Sequence, residues 1–156
     1  MSTTTSLRAV PWPTLRQGQA NDQVQTAQHL LREHGHQIVV DNVFGPKTDA
    51  AVRAFQSAAH LTVDGIVGER TWAELIVTVR RGSRGDAVRA VQVQGSIRHE
   101  HDPPAVDGIF GPETESYVRG FQELLGMRFP DDHVAVDGIV GPVTWHGLVA
   151  GIAGLD

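Results

Sequence analysis

The sequence predicts an all-α protein built as two closely linked three-helix bundles in tandem. Three observations predict it. The string Val-Asp-Gly-Ile-Val-Gly occurs at 63–68 and again unchanged at 136–141, with looser copies at 40–45 and 106–111. Between these turns Thr48, Val52, Arg53, Phe55 and Gln56 align with Thr114, Val118, Arg119, Phe121 and Gln122. Flanking them, Leu15, Gly18, Asp22, Val24 and Gln28 match Val79, Gly82, Asp86, Val88 and Gln92, while Thr71, Trp72 and Leu75 match Thr144, Trp145 and Leu148. The repeat is longer than the roughly 20 to 50 residues of solenoid arrays, so it reads as paired small domains. Their bounds are 13–78 and 79–156, with an extension at 1–12.

The first helix of the unit is capped by Asn21 or Asp22, and Val24, Ala27, Leu31 and His34 follow the spacing of one helical face. Gly35 stops it. In the turn that follows, Asp41 folds its carboxylate back onto the backbone, Asn42 tolerates a left-handed conformation, and Gly45 delivers the chain to Pro46. Proline suits the first helical position, where its missing N–H costs nothing. The second helix turns Val52, Phe55 and Ala59 inward and sets the polar Arg53 and Gln56 on an adjoining face. The turn from Asp64 to Gly68 opens a third helix, in which Trp72, Leu75, Ile76 and Val79 close over the other two.

The second unit departs in two places. Gln94 and Gly95 stand where the first has Leu30 and Leu31, which predicts a weaker first helix. The stretch from Met127 to Ala135 is longer than its counterpart around His60 and Leu61, and its Pro130, Asp131 and Asp132 predict an exposed loop. The third helix of the first unit reads on to Val79 and Gly82 already belongs to the second, so the two beads sit close together.

Composition narrows the function. Each half of the 156 residues makes a marginal core, and with no cysteine to staple it, packing of one half on the other is the expected remedy. Absence of cysteine fits an exported and a cytosolic chain equally. A net charge of −5, with Lys47 the sole lysine, argues against a nucleic-acid partner, since phosphate binding depends on concentrated Lys and Arg. Residues 1–17 lack the apolar core of a secretory signal, and the apolar tail from Gly147 to Leu155 is too short to span a membrane.

The strings Leu15-Arg16-x-Gly18 and Val79-Arg80-x-Gly82, the Val-Asp-Gly-x-Phe-Gly-Pro-x-Thr type turn, Val-x-x-Phe-Gln, and Asp-Gly-x-x-Gly-x-x-Thr-Trp-x-x-Leu resemble the helical peptidoglycan-binding domain found beside bacterial and phage wall hydrolases. The resemblance covers residues 15 to 150 in two copies. It implies a three-helix fold and noncatalytic attachment to the glycan or stem peptide of bacterial cell walls, in the wall or outside the cell. Departures are Asn42 in place of Gly, and Glu69 in place of Pro in the second turn of the first copy.

Other chemistries fit the residues less well. Each Asp-Gly or Asp-Asn turn offers one carboxylate, where a calcium loop alternates several oxygen ligands. Arg84, Gly85 and Asp86 spell an adhesion tripeptide but occupy the loop and cap before a helix. His34 with His36, and His99 with His101, fall in loops without a His-Glu-x-x-His helix, so no metal or other cofactor is expected. There is no nucleophile elbow and no thiol, and no catalytic residue is expected.

The recurring polar pairs left over are Arg53 with Gln56 and Arg119 with Gln122. A guanidinium fork beside a carboxamide matches the carboxylates and amides of stem peptides, while the alternative has the glutamines satisfying loop backbone and the arginines solvated. Trp72 and Trp145 have the flat faces that stack on sugars, but their helical spacing places them in the core first. Trp12, between two prolines, reads as a surface anchor or an N-terminal staple. The ligand-binding set expected from sequence is therefore Arg53, Gln56, Trp72, Arg119, Gln122 and Trp145. The alternative partner is a protein of a phage tail, secretion or injection assembly that borrows the fold.

Overall fold

Asn21 opens the first helix, its extended backbone and side-chain oxygen receiving the Val24 N–H at 2.9 Å. The computed structural model describes residues 6–97 and 104–150, together with the backbone but not the side chain of Arg98. Six α-helices run through them: α1 (Asp22–Glu33), α2 (Pro46–Ala58), α3 (Glu69–Leu75), α4 (Asp86–Arg98), α5 (Pro112–Arg128) and α6 (Pro142–Val149). Short 3-10 turns lie at Leu7–Ala9 and Pro130–Asp132, and no β-strand occurs among the described residues.

Local chemistry explains the helix starts. Gly45, Gly68, Gly111 and Gly141 each cap a helix in extended backbone, and Pro46, Pro112 and Pro142 follow at the first helical turn. Each preceding turn needs one residue with positive φ, supplied by Asn42 (67°), Gly65 (71°), Gly108 (75°) and Gly138 (75°). Isolated antiparallel bridges join Leu15 to Val67, Ala20 to Val43, Val79 to Val140 and Arg84 to Ile109. The segment leading into each unit thus runs along both of that unit's turns.

One hydrophobic cluster extends through both units, from Val24, Leu31 and Trp72 in the first to Val91, Phe121 and Trp145 in the second. Helix α1 packs on α4. Across that interface Gln94 donates to Thr26 at 2.8 Å with both groups buried, and Arg32 reaches Asp86 at 3.3 Å, which Arg89 of the same helix α4 approaches at 3.6 Å. The packing of half on half is the remedy that a disulfide-free pair of small cores requires.

The first residues described form a third tie. Ser6 Oγ donates to Asp132 at 2.8 Å, the Leu7 N–H to the same carboxylate at 2.9 Å, and His146 Nε2 lies 2.7 Å from the Val10 carbonyl. Trp12 stacks nearly parallel on His146, ring centres 4.5 Å apart, and 5.9 Å from Trp72. It is the staple rather than the surface anchor.

One expectation is corrected and two are refined. Helix α4 forms over 13 residues with both unusual positions in use: Gln94 finds its partner on α1, and Gly95 gives room to Pro104, whose Cγ would stand 2.6 Å from an added Cβ. Helix α3 ends at Leu75 instead of running to Val79, because Ile76 is extended and Val79 pairs with Val140. The longer stretch in the second unit is largely ordered into α5 and a 3-10 turn, with Phe129 fully buried and Asp132 holding the N-terminal strap. Pro130 and Asp131 are exposed as expected, as are Met127, His133 and Ala135.

Candidate functional site

A buried glutamine organises every turn. Gln56 donates through Nε2 to Asp64 Oδ1 (2.9 Å), the Ile66 carbonyl (2.9 Å) and Thr71 Oγ1 (3.1 Å), while its Oε1 accepts the N–H groups of Asp64 and Gly65 at 3.1 Å each. Gln122 does the same with Asp137, Ile139, Thr144 and Gly138 at 2.9 to 3.1 Å. The arrangement recurs at Gln28, with Asp41, Val43 and Thr48, and at Gln92, with Asp107, Ile109 and Thr114. Two amide hydrogens are shared among three acceptors, so each carboxamide is fully used inside the protein.

The turn aspartates close the circuit. Asp41, Asp64, Asp107 and Asp137 each accept the N–H two residues on, at 2.9 to 3.0 Å. The Ile66 N–H, reinforced by Gln56, holds Asp64 below the ordinary 3.8. Asp107 is lowered by the Ile109 N–H and then Gln92, and Asp41 by Gln28 and then the Val43 N–H. Hydrogen bonds to the ionised form cause all three shifts.

Above the second turn of each unit lies an open groove. In the first unit it measures about 390 Å³ and is lined by Gln56, His60, Asp64, Glu69, Arg70 and Thr71 among others. In the second it measures about 270 Å³, with Gln122, His133, Asp137, Pro142, Val143 and Thr144 in the matching places. His60 and His133 stand four residues before the turn aspartate, both exposed and both left-handed at φ 59° and 50°. A non-glycine residue held at positive φ is uncommon, and its recurrence at one groove position marks a shared feature of the site.

Arg53 and Arg119 lie beside these turns. Arg53, with nearly half its side chain exposed, pairs with Asp49 at 3.0 Å, and its guanidinium covers Gly65, where an added Cβ would meet it at 2.9 Å. Arg119 donates to the Val136 carbonyl at 3.2 Å and lies 3.7 Å from Glu115, which Arg81 approaches at 3.8 Å. These groups border a separate hollow of about 420 Å³. Trp72 and Trp145 are fully buried and donate through Nε1 to the carbonyls of Pro13 and Val77 at 2.8 Å each. The structure therefore places the expected arginines at the surface and the expected glutamines and tryptophans in the framework beneath it.

Sequence reasoning passed over Gln28 and Gln92 as clamps, and Arg89, whose guanidinium covers Gly108 as that of Arg53 covers Gly65. The glutamine precedes its aspartate by a variable distance, from Gln56 before Asp64 to Gln92 before Asp107, which hides the relation. The constant interval from each turn aspartate to its threonine was the available signal. His60 and His133 were visible by the same alignment. His34, considered as a metal ligand, instead sets Nε2 2.9 Å from the Leu75 carbonyl and its ring edge-on to Phe55. His99 and His101 lie outside the described residues, and among the described residues no three His, Asp or Glu side chains converge on a metal position. No described helix is long and apolar enough to cross a membrane.

A family model described as "Putative peptidoglycan binding domain" matches this chain twice, at 20–75 and 84–148. Among curated proteins, an uncharacterised protein of Kitasatospora aureofaciens is 61% identical over 36 residues, 23% of this chain and 30% of that protein. The zinc D-Ala-D-Ala carboxypeptidase of Streptomyces albus G is 38% identical over 65 residues, 40% of this chain and 26% of that enzyme. The chain thus spans less than a third of these relatives. Among solved structures, a Clostridioides difficile peptidoglycan-binding protein in complex with glutamine hydroxamate is 38% identical with TM-score 0.40, over 40% of each chain. The endolysin of Burkholderia phage AP3 is 27% identical with TM-score 0.41, over 72% of this chain and 38% of that one.

Proposed function

This chain belongs to the peptidoglycan-binding domain family, and from that membership we propose that it fastens to bacterial cell-wall peptidoglycan without cleaving it, through one contact surface in each of its two units. The observation that carries the reading is the duplicated groove: the same glutamine, aspartate, threonine and left-handed histidine frame a surface hollow in both units. The buried polar atoms of the four clamps face one another and not a substrate, which supports docking rather than bond breaking.

In this reading Gln56, Gln122, Trp72 and Trp145 act through shape, by fixing the turns and helices that form the grooves. Arg53 and Arg119 make the polar contact, their guanidinium forks receiving carboxylates of the stem peptide beside each turn. Two weak sites on one rigid chain, facing a polymer that repeats its ligand, raise the overall affinity through effective concentration. The place of action is the cell wall.

Co-sedimentation with purified sacculi tests this. The protein is expected in the pellet, and Arg53→Ala with Arg119→Ala is expected to weaken retention by about tenfold, the value of one or two charge-assisted hydrogen bonds. A protein that stays in the supernatant at every salt concentration would contradict the reading.

A further inference from the structure

The two grooves share a floor but differ at the rim. Glu69 and Arg70 in the first unit occupy the places of Pro142 and Val143 in the second. All four are exposed, so the difference changes the chemistry offered to a ligand and leaves the core alone. Among the described residues neither Glu69 nor Arg70 has a hydrogen-bond or ion-pair partner, unlike Arg53, Arg89 and Arg119. Glu69 and Arg70, whose side chains engage no other described residue, therefore both line this groove, with His60 and Asp64, whose Oδ1 is held by Gln56 and the Ile66 N–H, on the same lining.

We propose that the groove of the first unit takes a zwitterionic amino-acid head, an ammonium and a carboxylate on one carbon, and that the groove of the second unit does not. Arg70 receives the carboxylate through its planar fork, and Glu69 with Asp64 receives the ammonium. Pro142 and Val143 leave the second groove without a guanidinium, and the Asp132 carboxylate on its lining is held by Ser6 and the Leu7 N–H. The inference rests on the wall-binding reading and narrows it. A wall peptide whose diamino acid keeps a carboxylate at the free end of its side chain presents such a head. One whose diamino acid ends in a bare amine does not.

The test is amide chemical-shift mapping on the isotope-labelled full chain, with two soluble probes that differ by that one carboxylate and whose glutamyl amine is acetylated so that it adds no second head: N-acetyl-γ-D-glutamyl-meso-diaminopimelate and N-acetyl-γ-D-glutamyl-L-lysine. The first probe is expected to shift the amides of His60, Asp64, Glu69 and Arg70 and to bind about tenfold more tightly than the second. Arg70→Gln, at an exposed position, is expected to abolish the preference. Equal affinity for the two probes, shifts centred on His133 and Val143, or an unchanged preference in Arg70→Gln would overturn the proposal. Sacculus binding measured on the same samples separates the two levels. If the chain pellets with sacculi but shows no preference, only this inference falls; if it fails to pellet, the wall-binding reading falls with it.

Discussion

Glu33, the last residue of α1, accepts the backbone N–H of Ala87 at 3.1 Å and so caps the first helix of the other unit. In the first unit Asn21 performs this task for its own helix. The matching position in the second unit is Gly85, which has no side chain to offer and sits at φ 122°. An added Cβ there would come within 3.2 Å of Glu33 Oε1, so the missing cap and the borrowed one occupy the same space. The duplicated halves have become dependent on each other.

That dependence predicts cooperative unfolding. Glu33→Ala should lower stability by about 1 kcal/mol, the usual cost of a lost helix cap. Urea unfolding followed by tryptophan fluorescence and by far-ultraviolet circular dichroism should give coincident transitions in the wild-type chain. Two separated transitions would show that the halves fold independently.

The glutamine clamps should be structural first. Gln28→Ala, Gln56→Ala, Gln92→Ala and Gln122→Ala each orphan two turn N–H groups, while the turn carbonyl keeps a second donor. Each should therefore cost about 3 kcal/mol, from roughly 1 to 3 for every buried group left unpaired. Denaturant midpoints of the four variants check this. A Gln56→Ala protein of wild-type stability would show that the turn does not need the clamp.

Trp12 should matter to both units at once, because its ring lies between His146 and Trp72. Trp12→Ala should destabilise the chain by about 2 to 3 kcal/mol, in line with the loss of a partly buried aromatic and its stacking partners. It should also free the Val10 strap, read as faster amide exchange at Leu7 and Val10. Unchanged exchange would mean that Ser6 and Asp132 hold the segment alone.

Acidification should weaken the fold in two stages. Burial pushes His29 below its ordinary 6.5, outweighing the pull of Asp86, which at 3.6 Å lies beyond hydrogen-bond reach; Arg89 and Arg32 add to the lowering. A depressed folded value favours the native state above the unfolded pKa, so the contribution of His29 is complete above 6.5 and is lost as pH falls through its folded value. Asp41, Asp64, Asp107 and Asp132 carry the same sign and lose their contribution below 3.8. The urea midpoint should fall first below 6.5 and again below 3.8, and His29→Gln should flatten the first fall. A His29→Gln profile parallel to wild type would refute the assignment.

Much of this architecture could be read in the chain of letters because turns and helix starts are local. Asn21, Asn42, Gly45 and Pro46 do what their own backbone preferences dictate. What escaped reading depends on the other unit. Gln94 looked like a defect in a helix until Thr26 appeared opposite it, and Asp132 looked like loop until Ser6 and Leu7 reached it. The candidate site divided in the same way. Arg53 and Arg119 came from alignment alone, whereas the groove histidines and the contrast of Glu69 and Arg70 with Pro142 and Val143 gain meaning only when the lining is assembled in space.

The central claim, attachment to wall polymer with no cutting, is tested most directly by titrating the full chain onto dye-labelled sacculi while recording both bound protein and released dye. Binding should saturate with no dye in the supernatant. Absence of binding, or soluble dye accumulating in proportion to the protein added, would contradict it.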